Sequence, residues 1–132
     1  MKNKVISYDL GTSGNKASLY DHEGNCLATA FVAYETTYPH VGWHEQRPLD
    51  WWNAVVESTR QLLHNRPGEN DNVACIGISG HSLGVIPIDR KGRLLRAETP
   101  IWSDIRAQQE VGEFFQKVDP DEWYQITGNG FP

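Results

Sequence analysis

A short polar stretch near the start of the chain contains the residue types that bind a phosphate group. Two glycines and two hydroxyl residues follow Asp9, and Lys16 adds a positive charge just beyond them. Such a turn brings backbone N–H groups and hydroxyls together without bulky side chains, which suits phosphate oxygens. Asp9 could hold Mg2+ through water, because that ion prefers one or two carboxylates together with phosphate oxygens. The stretch therefore offers one candidate metal residue, Asp9, and four candidate phosphate-binding residues: Gly11, Thr12, Ser13 and Lys16.

The alternative is an ordinary β-hairpin with a polar loop, and this stretch taken alone favours that alternative. The turn is not a GxxxxGK[ST] loop, because no helix with a Lys-Ser or Lys-Thr pair follows it. It is not a GxGxxG turn either. Nucleotide binding through those two motifs is therefore not expected.

The elements that position this stretch follow from the spacing of apolar residues. Runs at residues 5–10, 16–20 and 26–34 are separated by turns and predict a three-stranded meander. A helix is expected to begin near Pro48 and to end around residues 64–68. It should bury one apolar face, made of the residues that recur at helical spacing: Trp51, Val55, Val56, Thr59, Leu62 and Leu63. The continuous apolar run at 73–79 predicts a strand buried on both faces and parallel to the first strand.

The second half of the chain predicts smaller elements. Residues 80–84 form a second turn bounded by glycines, and strands are expected at 85–89 and at Leu94-Leu95, joined by a turn at 90–92. A helix is expected over 105–118, and a shorter one from 119–121 through Tyr124. The chain stops inside the loop at 127–132, which leads us to expect a fragment of a longer protein.

Composition excludes several classes of partner. The 132 residues carry 12 basic and 17 acidic side chains, a net charge of −5, with no basic block. This argues against nucleic acid or an anionic membrane as the main partner. Cys26 and Cys75 fit no metal spacing, so we expect them to be reduced and buried. With no signal peptide and no run of transmembrane length, a cytoplasmic location is expected.

Three ordered segments resemble the FGGY carbohydrate kinases, the family of glycerol, xylulose and gluconate kinases. The first is DLGTS at residues 9–13, with Lys16. The second is GWHEQRP at 42–48, with Trp51 and Trp52. Its tryptophans are expected to anchor the core or a loop, and Glu45 and Gln46 to hold the loop by hydrogen bonds. The third runs from IGISG at 76–80 through Asp89 and Gly92 to IWSDIR at 101–106. Each motif is weak alone, but the ordered set covers nearly the whole chain and is specific.

The resemblance implies an α/β fold, a ribonuclease-H-like (actin-like ATPase) mixed sheet with flanking helices. Residues 1–132 would form the N-terminal part of the first FGGY kinase domain, without the rest of that domain or the second, ATP-binding domain. The family's general base, an Asp, is expected beyond Pro132, so this chain would contain no catalytic base. The isolated chain is therefore expected to be inactive.

The resemblance also implies the sugar-binding residues. Relatives place sugar contacts in the turn that here contains His81, Ser82 and Leu83. Glycerol kinases have an Arg-Glu pair at the last two of these positions and xylulose kinases a Met-His pair, which puts both substrates in doubt. Trp102 could stack on a sugar face, and Asp104 could accept hydrogen bonds from the sugar hydroxyls. The alternatives are core packing for Trp102, a helix N-cap for Asp104 and a structural role for His81.

Two functions remain open at this stage. In the first, the full-length protein phosphorylates a hydroxyl of a sugar or polyol with ATP and Mg2+. In the second, the chain is a non-catalytic actin-like module that binds sugar or nucleotide, or has a regulatory role, without turning over a substrate. An Asp in a Gly-x-x-Asp loop beyond Pro132 would favour the enzyme. The expected partners are a small-molecule sugar or polyol and ATP, with a homodimer of the full-length protein as a further expectation.

Overall fold

The fold begins with an antiparallel meander of three strands, as predicted. The structure, a computed structural model, describes residues 3–64 and 72–130. The strands are β1 (Lys4–Leu10), β2 (Gly14–Tyr20) and β3 (Cys26–Ala33), with β2 in the centre of the meander. Alternation of apolar and polar residues along β1 places one set of side chains on each face of the sheet.

A helix and a fourth strand complete the main sheet. α1 (Pro48–Leu63) begins with its proline in the first turn, where the missing N–H costs nothing. β5 (Val73–Gly80) then pairs in parallel with β1, opposite Ile6 and Tyr8 among others. The sheet order is β3-β2-β1-β5, so the predicted mixed sheet and its parallel pair are confirmed. The expectation that this strand is buried on both faces is wrong, because β5 is the edge strand of the sheet and most of its residues are exposed. The predicted helix end overlaps residues 65–68, which lie outside the described residues.

The core lies between α1 and the meander. Ile6 and Tyr8 of β1, Ala17 and Leu19 of β2, and Leu62 of α1 are all buried there. Each large apolar side chain that leaves water in this way stabilises the fold by about 1.5–3 kcal/mol. Polar bonds also join the two layers, since the Asn15 amide donates to Ser58 across 2.8 Å. The helix is thereby fixed over the strands that lead into the first turn.

The remaining elements are short. β4 (Glu45–Gln46) pairs antiparallel with β6 (Thr99–Pro100), a contact that the sequence pattern did not predict. α2 (Gln108–Phe115) and α3 (Pro120–Thr127) follow. Asp119 is the N-cap of α3, because its carboxylate accepts hydrogen bonds from the backbone N–H groups of Asp121 and Glu122. It ends at Gly128, whose φ of +69° is the left-handed conformation that glycine adopts easily.

The two strands predicted at 85–89 and Leu94-Leu95 are wrong. Only an isolated bridge between Ile88 and Leu94 forms in this segment. Pro87 lies inside the predicted strand and has no N–H to give to a ladder. The turn is instead held by Asp89, whose carboxylate accepts from the backbone N–H groups of Lys91 and Arg93.

Two further expectations need correction. The helix predicted over 105–118 is α2, which begins three residues later and ends three residues earlier. Its start is delayed because the Ile105 N–H donates to Gly42 and the Arg106 N–H to the Asp104 side chain. The two cysteines are free, but Cys26 and Cys75 are exposed rather than buried. Both lie in edge strands, which explains their exposure.

Gly14 gives a test of the packing at the first turn. A Cβ built at Gly14 would lie 2.6 Å from the Val32 carbonyl oxygen and 2.5 Å from the Phe31 ring. We therefore expect Gly14→Ala to destabilise the protein by about 1–3 kcal/mol in urea unfolding, as overpacking does. Gly112→Ala is the matched control, because no atom lies within 4 Å of its added Cβ. The control should be neutral or slightly stabilising, since alanine favours a helix.

The described ranges 3–64 and 72–130 contain no helix that is both long and apolar enough to cross a membrane.

Candidate functional site

The candidate site lies where β1 and β5 end side by side. Because the two strands are parallel, their carboxyl ends reach the same edge of the sheet, where open α/β sheets bind ligands. Asp9 stands opposite Ser79 in this register, and the Ser79 hydroxyl donates to the Asp9 carboxylate across 3.3 Å. The His81 N–H donates to the Leu10 carbonyl, 2.9 Å away. The first and second turns therefore leave the sheet next to each other.

The first turn, residues 11–13, is closed and is held from outside. The Gly11 N–H donates to the Gly14 carbonyl across 3.0 Å, which closes the turn. The Tyr34 hydroxyl donates to the Gly11 carbonyl, and the Gln46 amide donates to the Thr12 carbonyl at 2.6 Å. Thr12 and Ser13 themselves are exposed, so their polar groups are accessible to a ligand.

Tyr34 remains a hydrogen-bond donor over the whole physiological pH range. Burial of the hydroxyl and the negative charge of Asp9 raise the pKa of Tyr34 to about 12. The phenol therefore stays protonated and continues to donate to Gly11.

The second turn contains the predicted sugar-side residues His81, Ser82 and Leu83. They line a pocket of about 230 Å³ together with Trp51 and Leu10, which is smaller than most small-molecule sites. Burial lowers the pKa of His81, so its ring is neutral at neutral pH. The Trp51 ring packs edge-on against the His81 ring, with 5.2 Å between the centroids.

The backbone of this turn is strained at one residue. Leu83 has a φ of +67°, which a side chain with a Cβ seldom adopts. Such conformations cost about 1–3 kcal/mol and cluster at functional sites. The Leu83 side chain is exposed, so core packing does not explain the strain.

Trp102, one of the predicted sugar-binding residues, contacts the first turn, where phosphate binding was predicted. Its indole N–H donates to the Thr12 hydroxyl at 2.9 Å, across 90 residues of sequence. The ring is about half exposed, so core packing does not account for it. Trp52 is exposed as well, although we expected it to anchor the core or a loop. The structure therefore brings Trp102 to the first turn with about half of its surface accessible.

Asp104 belongs to a charged cluster behind Trp102. One Asp104 oxygen accepts from the His44 N–H at 2.7 Å, and the carboxylate also binds the Arg106 guanidinium. Arg106 holds the pKa of Asp104 at about 2, so the group is ionised. Asp104 is not a helix N-cap, because α2 is preceded by Ala107. Its binding of a sugar hydroxyl stays a prediction, and here both oxygens bind the chain's own donors.

Lys16 and Asp9, the predicted metal residue, lie on the sheet face opposite α1. Lys16 stands directly across from Asp9 in the β1–β2 ladder and is exposed. The described residues contain no cluster of three or more potential metal ligands. A single exposed carboxylate next to the first turn nevertheless fits Mg2+, which takes most of its remaining ligands from water and phosphate. The phosphate and metal assignments are therefore compatible with this geometry.

The sequence pattern did not identify two residues that hold the site. Gln46 was expected only to hold the loop between β3 and α1, and it does bind Thr36 there at 2.7 Å. It also reaches the first turn, 34 residues away, and accepts from the Trp51 indole at 2.9 Å. Tyr34 gave no signal beyond its place at a strand end. Gln46 could have been found through its position in the 42–48 motif.

Comparison with known proteins places this geometry in a family. The model of the N-terminal domain of the FGGY family of carbohydrate kinases matches residues 4–132. The chain belongs to the FGGY family. The resemblance expected from the three motifs is therefore confirmed, over nearly the whole length of the chain.

FGGY relatives of known name are several times longer than this chain. The chain is 32% identical over 125 residues to the xylulose kinase of Staphylococcus xylosus, covering 95% of this chain and 25% of that protein. It is 28% identical over 128 residues to the glycerol kinase of Paenarthrobacter aurescens, covering 97% of this chain and 25% of that protein. The chain thus spans about a quarter of the length of the curated relatives it matches.

Solved FGGY structures share the fold. A xylulose kinase from Brucella ovis superposes with a TM-score of 0.86 and 33% identity, covering 96% of this chain and 26% of the other. The Plasmodium falciparum glycerol kinase with ADP superposes with a TM-score of 0.83 and 26% identity. This match covers 99% of this chain and 26% of the other. The predicted actin-like ATPase fold is therefore confirmed.

Proposed function

We propose that this chain supplies the phosphate turn and part of the sugar site of an enzyme that phosphorylates a sugar or polyol hydroxyl with ATP. The observation that carries the proposal is the hydrogen bond between the Trp102 indole and the Thr12 hydroxyl. This bond supports the proposal because it joins a predicted sugar-binding residue to a predicted phosphate-binding residue beside the carboxyl end of β1. Phosphoryl transfer needs this proximity, because the enzyme gains most of its rate by positioning and charge stabilisation.

Each group has a role in this proposal. The first turn donates N–H groups and hydroxyls to phosphate oxygens, and Lys16 adds a positive charge beside them. The second turn, with neutral His81, and the accessible face of Trp102 bind the acceptor. Aromatic rings stack well on apolar sugar faces while polar groups bind the hydroxyls. The base that takes the hydroxyl proton is expected beyond Pro132.

Asp9 is the residue that would hold Mg2+ in this proposal. The ion would supply positive charge that neutralises the phosphate groups during transfer. The Asp9 carboxylate is exposed, and its contact with Ser79 leaves acceptor capacity for the water shell of an ion.

The substrate class follows from the relatives and from the second turn. Curated and solved relatives include glycerol, xylulose and gluconate kinases. The Ser82-Leu83 pair offers one hydroxyl and one apolar side chain, without a charge that would select an ionised acceptor. We therefore propose a neutral polyol or sugar. A cytoplasmic location and a homodimer of the full-length protein are further parts of this proposal.

A coupled ADP-release assay on the full-length protein tests the proposal. The panel should contain glycerol, xylulose, gluconate and a series of other pentoses, hexoses and polyols. We expect ADP release that depends on one neutral member of the panel. Binding of sugar and nucleotide without sugar-dependent ADP release would contradict the enzyme and favour the non-catalytic module.

Lys16→Ala should raise the KM for ATP in the full-length protein and change kcat much less. Lysine is a flexible point charge, and its attraction to phosphate is present both before and during transfer. Initial rates at varied ATP measure the effect, and Lys91→Ala in the exposed 90–92 turn is the control. An unchanged KM for ATP would make Lys16 an ordinary surface lysine.

A further inference from the structure

Three consecutive carbonyl groups of the first turn each accept a hydrogen bond from outside the turn. The Gly11 carbonyl accepts from the Tyr34 hydroxyl. The Thr12 carbonyl accepts from the Gln46 amide at 2.6 Å. The Ser13 carbonyl accepts from the Tyr34 backbone N–H at 3.3 Å. Two residues, Tyr34 and Gln46, therefore bind every carbonyl of the turn.

Fixing these carbonyls also fixes the N–H groups. In a planar trans peptide the C=O and the following N–H point in opposite directions, and the described residues contain no cis peptide. The bonds to Gly11 and Thr12 therefore direct the N–H groups of Thr12 and Ser13 away from Tyr34 and Gln46. Within residues 3–64 and 72–130, neither of these two N–H groups has an acceptor. They are left as a pair of donors at an exposed turn.

Both supporting side chains are themselves held in place. Gln46 is only 1% exposed, and its amide uses its second hydrogen on Thr36 and its oxygen on the Trp51 indole. A buried amide with all of these partners has one orientation, since a flipped amide would lose them. Tyr34 is half-buried at the end of β3 and uses its backbone as well as its hydroxyl. The turn is thus attached to rigid elements rather than being a free loop.

We propose that Gln46 and Tyr34 are positioning residues, which hold the first turn so that the N–H groups of Thr12 and Ser13 point at a phosphate group of the nucleotide. The inference rests on the proposed function, because it takes the ligand of the turn to be a nucleotide phosphate. Donors that are already oriented cost no reorganisation when the anion binds. Without the hydrogen bonds from Tyr34 and Gln46, the peptide groups of the turn could rotate. Phosphate binding would then have to order these peptide groups, which would weaken the affinity.

Calorimetry of the full-length protein with ADP and with adenosine tests this inference. Tyr34→Phe removes one hydroxyl, and Gln46→Met removes the amide at nearly constant volume. We expect each variant to bind ADP about tenfold more weakly, the effect of losing roughly one hydrogen bond to a charged group. Adenosine affinity should stay unchanged, because adenosine has no phosphate. In rate measurements the KM for ATP should rise while the KM for the sugar does not.

Tyr8→Phe is the matched control, since Tyr8 is 5% exposed and its hydroxyl bonds Thr59, away from the turn. It should bind ADP and adenosine as the unmodified protein does. Unchanged ADP affinity in Tyr34→Phe and Gln46→Met would overturn the inference, as would equal losses for ADP and adenosine. Absence of any ADP binding by the unmodified protein would overturn it too. Failure of the kinase proposal appears differently, as ADP binding without sugar-dependent ADP release.

Discussion

Asp9→Asn in the full-length protein should lower kcat by about a hundredfold or more while leaving sugar binding nearly unchanged. The substitution keeps the size of the side chain and removes the charge that would hold Mg2+, a charge needed most as the phosphoryl group transfers. Rates at saturating ATP and sugar measure the effect, and a magnesium titration should show a higher Mg2+ requirement. Sugar affinity is measured by calorimetry without nucleotide.

Ser79→Ala provides the control for Asp9→Asn. It removes the 3.3 Å hydrogen bond to the Asp9 carboxylate without removing the charge. Because this pair is exposed, kcat should change by no more than a few-fold. A normal kcat in Asp9→Asn would show that the opening stretch is an ordinary hairpin without a role in catalysis. Loss of sugar binding with nucleotide binding intact would place Asp9 on the acceptor side instead.

The parts of the fold that the sequence predicted are those with a local physical cause. Alternation along β1 and β2 requires one buried and one outer face, so the meander follows from residues close in sequence. The position of Pro48 and the apolar spacing after it define α1 in the same way. The apolar run of β5 indicated a parallel strand because a helix precedes it.

The apolar stripe of α1 shows where such local reasoning ends. Trp51, Val55, Val56 and Thr59 were expected to form the buried face with Leu62, but the fully buried row is Ala54, Ser58 and Leu62. The other side of the predicted face lies next to Ile76 and Ile78 of β5, which are 58% and 72% exposed. Periodicity thus identified a wide apolar surface, without showing which part of it the sheet would cover.

The site was harder to predict because it is assembled from distant segments. The motifs named Asp9, Thr12 and Trp102 as candidates, but no local pattern places Trp102 against Thr12. The bonds from Gln46 and Tyr34 to the turn depend on how β3 and β4 pack beside it. Side-chain contacts across tens of residues are decided by tertiary packing, which propensity and spacing do not specify.

Arg106→Met should destabilise the protein by about 3–5 kcal/mol, the cost of leaving buried charges without their partner. The Arg106 guanidinium binds Asp104 and Glu45, whose side chains are only 3% and 10% exposed, and it stacks 3.8 Å above the Trp43 ring. Methionine keeps much of the packing but removes the positive charge between the two carboxylates. Glu45 would keep its ion pair with Arg96, whereas Asp104 would lose its cationic partner. Urea unfolding followed by tryptophan fluorescence measures the loss.

The pH dependence of this loss separates the ion pair from simple packing. The pKa of Asp104 is lowered from 3.8 to about 2 in the folded protein, so ionised Asp104 stabilises the fold above 3.8. That stabilisation disappears as the pH falls through about 2. At such low pH, the free energy of unfolding of Arg106→Met should therefore differ less from that of the unmodified protein. Arg93→Met is the control, because Arg93 is 75% exposed beside Asp89 and its pair should contribute less than about 1 kcal/mol. Equal losses in the two variants, or a pH-independent loss in Arg106→Met, would show that the charged cluster behind Trp102 acts only by filling space.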